Sequence, residues 1–234
     1  MKYMGSKNRI AKHILPIMIK EMQDRGYTTW VEPFVGGGNM IDKVPSSYRR
    51  IGCDLNEHTI AAMLGIRDFV VQFPSDVSET YYTTVKGTAP HPINSWIRYS
   101  CSFSGKFDNG YARDKTNRNY ASEQKRAAIK QSRAIQCVEF ICCSYLDLTN
   151  SITNSIVYCD PPYQGTTGYK TGQFNHEEFF DWCRKMKVKG NSVFVSEYSA
   201  PDDFELVWQG EVKTNFSATR TKATHNAVEK LFKV

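Results

Sequence analysis

Apolar residues along the chain fall into short runs separated by longer stretches with helical spacing. The runs Thr29-Trp30-Val31, Arg50-Ile51-Gly52-Cys53, Val138-Glu139-Phe140-Ile141, Ser155-Ile156-Val157-Tyr158-Cys159 and Ser192-Val193-Phe194-Val195 are each bounded by turn or polar residues and predict strands. Between them, Ile10 to Met22, Thr59 to Val71, Ser122 to Ile135 and Glu177 to Met186 place apolar residues at helical spacing. Strands alternating with helices predict an α/β fold, an open and mostly parallel sheet with helices on both faces. From Phe73 to Arg133 the pattern fails: apolar residues are sparse, aromatics scattered, and Asn, Gly and charged residues crowd Gly105 to Asn119. The expectation is a core of residues 1–72 and 136–234 interrupted by a partly helical insert, 73–135. No internal repeat is visible, which argues against a solenoid.

Composition narrows the class. A chain of 234 residues, 41% of them hydrophobic, is long enough for one sizeable core. No apolar stretch reaches the roughly 18 residues of a membrane span, and the start, Met1-Lys2-Tyr3-Met4-Gly5-Ser6-Lys7, lacks the apolar segment of a secretory signal. A soluble, cytoplasmic protein is expected. The seven cysteines form no C-x-x-C pair and have no histidines at zinc-ligand spacing, which predicts reduced thiols and no metal. The formal charge is +6, and between Ser95 and Ala134 nine Lys/Arg face three Asp/Glu, so this segment alone equals the whole excess. Such clustering points to a polyanionic partner.

Three motifs carry chemistry. In Val31-Glu32-Pro33-Phe34-Val35-Gly36-Gly37-Gly38 a glycine cluster directly follows a strand, where a ligand can approach bare backbone at the sheet's carboxyl edge. It lacks the spacing of a dinucleotide fingerprint or a phosphate loop, and a tight turn without a ligand is the alternative. Asp54, 18 residues after Gly36 at the end of the next strand, is placed either to accept hydrogen bonds from a ribose or to cap the following helix. Asp160-Pro161-Pro162-Tyr163 is the sharpest signal. Two prolines after an apolar strand fix φ and remove donors, so the Asp160 carboxylate and nearby carbonyls become rigid acceptors suited to an amino group.

Taken together, these motifs resemble those of the Dam-like DNA adenine methyltransferases over nearly the whole chain. Tyr3-Met4-Gly5-Ser6-Lys7 resembles that family's amino-terminal motif, Glu32 to Gly38 its cofactor loop, Asp54 its ribose-binding acid, and Asp160 to Tyr163 its catalytic tetrapeptide. The resemblance implies a Rossmann-like methyltransferase fold and S-adenosylmethionine as cofactor. It implies that Tyr3 and Lys7 line the cofactor pocket, that Glu32, Phe34, Gly36, Gly37 and Gly38 frame the methionine part, and that Asp54 holds the ribose. Glu229-Lys230-Leu231-Phe232 resembles the closing strand, after a loop whose Arg220 and Lys222 are positioned to touch DNA phosphates. One departure stands out: where the family has an acidic residue near the cofactor adenine, this chain reads Cys143-Ser144-Tyr145-Leu146-Asp147. Ser144 or the backbone holding the adenine, Tyr145 stacking on it, or Asp147 are the candidates, with Tyr145 preferred.

The resemblance implies a site-specific enzyme that flips adenine out of duplex DNA and methylates N6, with Asp160 and the Pro161 carbonyl accepting the amino protons and Tyr163 stacking on the base. Neither metal nor covalent intermediate is needed. Lys106, Arg113, Lys115 and Arg118, interleaved with Trp96, Tyr99, Phe103, Phe107, Tyr111 and Tyr120, are expected to bind the duplex. Lys125, Arg126, Lys130 and Arg133 are equally a solvated helix face. His58, His176 and His225 receive no role, and Glu177 and Glu178 read as charges at a helix start. Competing readings are methylation of cytosine N4, of adenine in RNA or of a glutamine amide, and a DNA-binding module without turnover. The recognition sequence is not legible, GATC being only the family-weighted choice. The expected setting is restriction-modification or phage DNA protection, a solitary, phage-encoded enzyme being one form of it.

Overall fold

The computed structural model describes residues 1–113, 116, 118–163, 174–213 and 226–234. Its centre is a seven-stranded sheet built from β1 (Thr29–Glu32), β2 (Arg49–Asp54), β3 (Val138–Cys142), β4 (Ser155–Cys159), β5 (Ser192–Ser196), β6 (Glu205–Lys213) and β7 (Asn226–Lys233). The spatial order is β3-β2-β1-β4-β5-β7-β6. β1 to β5 run parallel, and β7 is antiparallel to both β5 and β6. The expected mostly parallel sheet, with helices on both faces, is observed.

Each central strand divides its side chains between two cores, as a pleat buried on both faces must. Trp30, Ile156, Tyr158 and Phe194 enter one core, while Val31, Val157, Cys159, Val193 and Val195 enter the other. The first core is covered by α1 (Ala11–Arg25), α2 (Glu57–Asp68), α4 (Pro92–Ser100) and α5 (Tyr120–Ala134), with the short α3 (Glu79–Val85) packed against α4. The second is covered by α6 (His176–Val188) and the 3-10 turn Tyr145–Asn150.

Helix starts follow local capping chemistry. Asn56, Asn119 and Asn175 accept hydrogen bonds from the backbone of His58, Ser122 and Glu178, respectively, so each satisfies an orphan first-turn donor. Asn56, not Asp54, caps α2. Glu177 and Glu178 occupy the first turn of α6, favourable for the helix dipole.

Residues 73–135 differ from their sequence pattern in what they bury. Their aromatics were expected at a binding surface, yet Trp96 and Tyr99 are buried: Trp96 stacks on Phe73 at 4.2 Å, and the Tyr99 hydroxyl pairs with Thr59 Oγ1 at 2.8 Å. Helices of seven and nine residues are too short for a window of 11–18 residues to register their period. Gly65 permits the close approach of α4 to α2, since a Cβ there would stand 2.7 Å from the Pro92 carbonyl oxygen. Arg98, counted above with the basic excess, is buried and paired with Asp108 at 2.6 Å, so its charge is neutralised inside the protein.

β6 had no counterpart in the apolar pattern. It is an edge strand, Glu205-Leu206-Val207-Trp208-Gln209-Gly210-Glu211 onward, with charges, a glycine and a register shift between Leu206 and Trp208. Edge strands need no continuous apolar run, and they commonly carry such interruptions.

Candidate active site

The strand order reverses between β1 and β4: β2 and β3 lie outward of β1 on one side, and β5 lies outward of β4 on the other. A crevice opens at the carboxyl ends of the two strands flanking such a switch point. β1 ends at Glu32, and Asp160 follows the last residue of β4, so topology alone brings these two carboxylates to the same edge.

Glu32 is buried and accepts a hydrogen bond from Trp30 Nε1 at 2.9 Å. Burial drives its carboxyl well above the usual range. On the neighbouring strand, Asp54 Oδ2 accepts from the Gly36 backbone N–H at 3.0 Å and Oδ1 from the Asn56 N–H at 2.9 Å. Desolvation raises Asp54 to about 6, against the opposing effect of those two donors. Asp54 therefore clamps the glycine turn to the start of α2.

The glycines themselves are required by the protein's own packing. Gly36 and Gly38 have φ of 48° and 65°, and a Cβ on Gly37 would stand 2.6 Å from Tyr3 Cβ and 2.9 Å from the Met1 carbonyl oxygen. The turn is bare so that the amino-terminal segment can lie directly on it. Tyr3 packs there, its ring 5.4 Å from that of Tyr99. The segment then turns at Gly5, and Ser6 caps the 3-10 turn Lys7–Arg9, which directs Lys7 inward.

Lys7, 7% exposed, has its Nζ 3.1 Å from Asp160 Oδ1 and 3.7 Å from Glu229 Oε2; it donates to the Gly5 carbonyl at 3.2 Å and lies 4.3 Å from the centre of the Tyr163 ring. Burial opposes its charge, but the two carboxylates outweigh burial and hold its pKa above that of a free lysine. Desolvation pushes Asp160 up to about 6 against the pull of Lys7, with a smaller push from Glu229. The Tyr163 hydroxyl donates to Glu229 Oε2 at 2.8 Å, and its ring meets Tyr198 edge-on at 4.7 Å. His176 Nε2 lies 3.0 Å from the Pro162 carbonyl oxygen; a carbonyl can only accept, so this nitrogen carries the hydrogen. His176, given no role from sequence, thus braces the Pro-Pro corner, with Glu197 Oε2 3.7 Å from the same nitrogen.

Phe34 and Tyr145 lie side by side, ring centres 5.4 Å apart, above Phe179. Tyr145 also packs edge-on against Trp182 at 5.2 Å. Ser144 and Asp147 are engaged with each other: the Ser144 N–H donates to Asp147 Oδ2 at 2.9 Å in a capping box.

The structure thus gathers Lys7, Asp160 and Tyr163 into one contact network, with Glu32 and Asp54 along the same edge. It adds Glu229, marked in the sequence only as part of the closing strand, and His176 and Tyr198, which no local motif distinguishes. Of the expected DNA-contacting residues, Lys106, Arg113 and Arg118 are exposed, Arg113 pairing with Glu79 and Arg118 with Glu123 at 2.5 Å. Lys115, Arg220, Lys222 and His225 lie outside the described residues. Lys125 turns inward, donating to the Phe73 carbonyl at 2.5 Å. The loop carrying Lys106 reaches the amino-terminal segment: a Cβ on Gly105 would stand 2.8 Å from Lys2 Cγ.

Comparison with known proteins gives the family. The sequence pattern of the D12 class N6 adenine-specific DNA methyltransferases matches residues 3–88 and 97–225, and the chain belongs to that family. It is 22% identical over 218 residues to the type II methyltransferase M.FokI of Planomicrobium okeanokoites, covering 81% of this chain but 32% of that protein. To the type II methyltransferase M.MjaIII of Methanocaldococcus jannaschii it is 21% identical, covering 90% of this chain and 87% of the relative. Thus the chain spans about a third of the first relative's length and most of the second's. Among solved structures, the rRNA methyltransferase AviRa of Streptomyces viridochromogenes aligns with all of this chain and 86% of its own at 13% identity, with a TM-score of 0.49.

Proposed function

We propose that this member of the D12 family transfers a methyl group from S-adenosylmethionine to the exocyclic N6 of adenine at specific sites in double-stranded DNA. The observation that carries the reading is Asp160, fixed by Lys7 at 3.1 Å and followed by two prolines at the switch point of the sheet.

The donor set suits a cationic cofactor. Glu32, Asp54 and Asp160 outnumber Lys7 along the carboxyl edge, and the cofactor bears a sulfonium and an ammonium. Glu32 and the turn Gly36 to Gly38 would hold its methionine part and Asp54 its ribose, with Phe34 and Tyr145 offering aromatic surface for its adenine. When bound, it supplies an electrophilic methyl group and departs as a neutral thioether.

The chain's own residues must then activate a poor nucleophile, because the adenine amino lone pair is delocalised into the ring. With the Pro162 carbonyl taken by His176, the Asp160 carboxylate and the Pro161 carbonyl are the acceptors for the two amino protons. Accepting both favours a pyramidal nitrogen whose lone pair points at the methyl group. Rigid placement makes the attack effectively unimolecular. The proton that the amino nitrogen gives up on methylation passes to Asp160 and on to water. Tyr163 stacks on the extruded base, an interaction of about 1–3 kcal/mol. Lys106, Arg113 and Arg118 bind the duplex, along with Lys115, Arg220 and Lys222.

The test is incubation with methyl-labelled S-adenosylmethionine and DNA from a host lacking adenine methylation, followed by digestion to nucleosides and chromatography. Label in N6-methyldeoxyadenosine is the expected result. Label in cytosine, or none on DNA while RNA accepts it, overturns the reading.

A further inference from the structure

Glu229 reaches the site from the strand that closes the sheet. In β7, Leu231 pairs with Ser196, the last residue of β5, so Glu229 lies two residues beyond that pair, past the carboxyl edge. Residues two apart share a face, and Leu231 is buried in the core beneath α1. Glu229 therefore emerges on the side from which the amino-terminal segment brings Lys7.

Resting on the function proposed above, we propose that Glu229 is a positioning residue for the target base: it anchors the Tyr163 hydroxyl and shares the Lys7 ammonium with Asp160. Three contacts support this. The Tyr163 hydroxyl donates to Glu229 Oε2 at 2.8 Å, Lys7 Nζ stands 3.7 Å from the same oxygen, and the same Nζ is 3.1 Å from Asp160. A hydrogen bond to an ionised acceptor is stronger and more directional than one to a neutral group. Anchored at its hydroxyl and met edge-on by Tyr198, the Tyr163 ring is restricted to one plane, the plane a flipped base would stack on.

The second carboxylate is informative because structure alone does not call for it. Asp160 already neutralises Lys7, and a glutamine would accept the tyrosine proton without placing a like charge near Asp160. The groups facing Glu229 are Lys7 from the amino-terminal segment, Asp160 and Tyr163 after β4, Tyr158 on β4, and Tyr198 after β5. Glu229 raises Asp160's affinity for a proton, while Lys7 lowers it. Removing the negative charge therefore leaves Lys7 to Asp160 alone and makes Asp160 a weaker acceptor.

The decisive comparison is among wild type, Glu229→Gln, Tyr163→Phe and the double variant, using labelled S-adenosylmethionine and DNA lacking adenine methylation between pH 5 and 9. Glu229→Gln is expected to reduce kcat on the order of ten- to a hundred-fold, the scale of a slight misplacement. Its cofactor affinity and melting temperature should stay near wild type, and the acid limb of its profile should move to lower pH. Tyr163→Phe should lose kcat in a way not additive with Glu229→Gln. A Glu229→Gln enzyme with wild-type kcat and pH profile overturns the proposal, as does parallel loss of kcat and folding with no change in the limb. Should Glu229→Gln not fold, Tyr163→Phe reads the same contact, and unchanged kcat there also overturns it. A wild type that labels no adenine overturns the proposed function first, and this inference with it.

Discussion

Lys7 and Asp160 meet at 3.1 Å, one at the head of the chain and the other after its fourth strand, and their contact couples the amino-terminal segment to the acceptor corner. That coupling sets the electrostatics of the site, because Lys7 is the group that lowers a carboxyl which burial raises.

Wild-type kcat should fall below about pH 6. A protonated Asp160 donates where it must accept, and its folded-state pKa is about 6. A pH profile of single-turnover methyl transfer checks this. Asp160→Ala should bind cofactor and DNA yet lose on the order of 10²–10³-fold or more in transfer, the scale of removing one preorganised electrostatic partner.

Lys7→Met should move that acid limb to higher pH, since the pull on Asp160 is gone. Stability should respond in the same sense. A carboxyl whose folded pKa rises above its unfolded value favours the folded state when protonated, and that advantage is lost as pH rises through the folded pKa. The melting temperature of Lys7→Met should therefore lag wild type more at pH 8 than at pH 5.

Cofactor binding should take up or release protons at the carboxyl edge. Glu32 is raised well above the ordinary range and Asp54 to about 6, both by desolvation. A cationic ligand favours the ionised forms, so affinity should drop below pH 6 and binding near that pH should release protons. Calorimetry in buffers of different ionisation enthalpy measures that release; Asp54→Ala should reduce both the release and the affinity.

Gly37→Ala should reduce stability by about 1–3 kcal/mol, the usual cost of overpacking, and reduce transfer more than cofactor affinity. The added Cβ meets Tyr3 Cβ and the Met1 carbonyl, so the segment that carries Lys7 must shift. Thermal unfolding together with kcat checks it.

Lys106→Ala should lower the slope of log affinity for DNA against log salt by about one. Lys125→Ala should leave that slope unchanged and lower the melting temperature, because its ammonium serves the Phe73 carbonyl rather than solvent or phosphate.

The parallel α/β framework and the acceptor corner were legible in the local pattern of residues. Buried strands such as Ile156 to Cys159 need continuous apolar runs, and the chemistry of Asp160-Pro161-Pro162-Tyr163 is local, written in adjacent residues. Edge strand β6 and the short helices α3 and α4 were not legible, because an edge tolerates charges and a short helix shows too few turns for its period to emerge. The tertiary structure alone decided which distant side chains complete the site. His176 has ordinary neighbours in sequence and Glu229 is marked there only as part of a closing strand; they reach the site because β7 closes the sheet beside β5 and α6 begins beneath the Pro-Pro corner. It also separated engaged from free-standing cations, burying Arg98 against Asp108 and tying the half-buried Lys125 to the Phe73 carbonyl while leaving Lys106 exposed, a choice that depends on which carboxylates and carbonyls folding brings within reach.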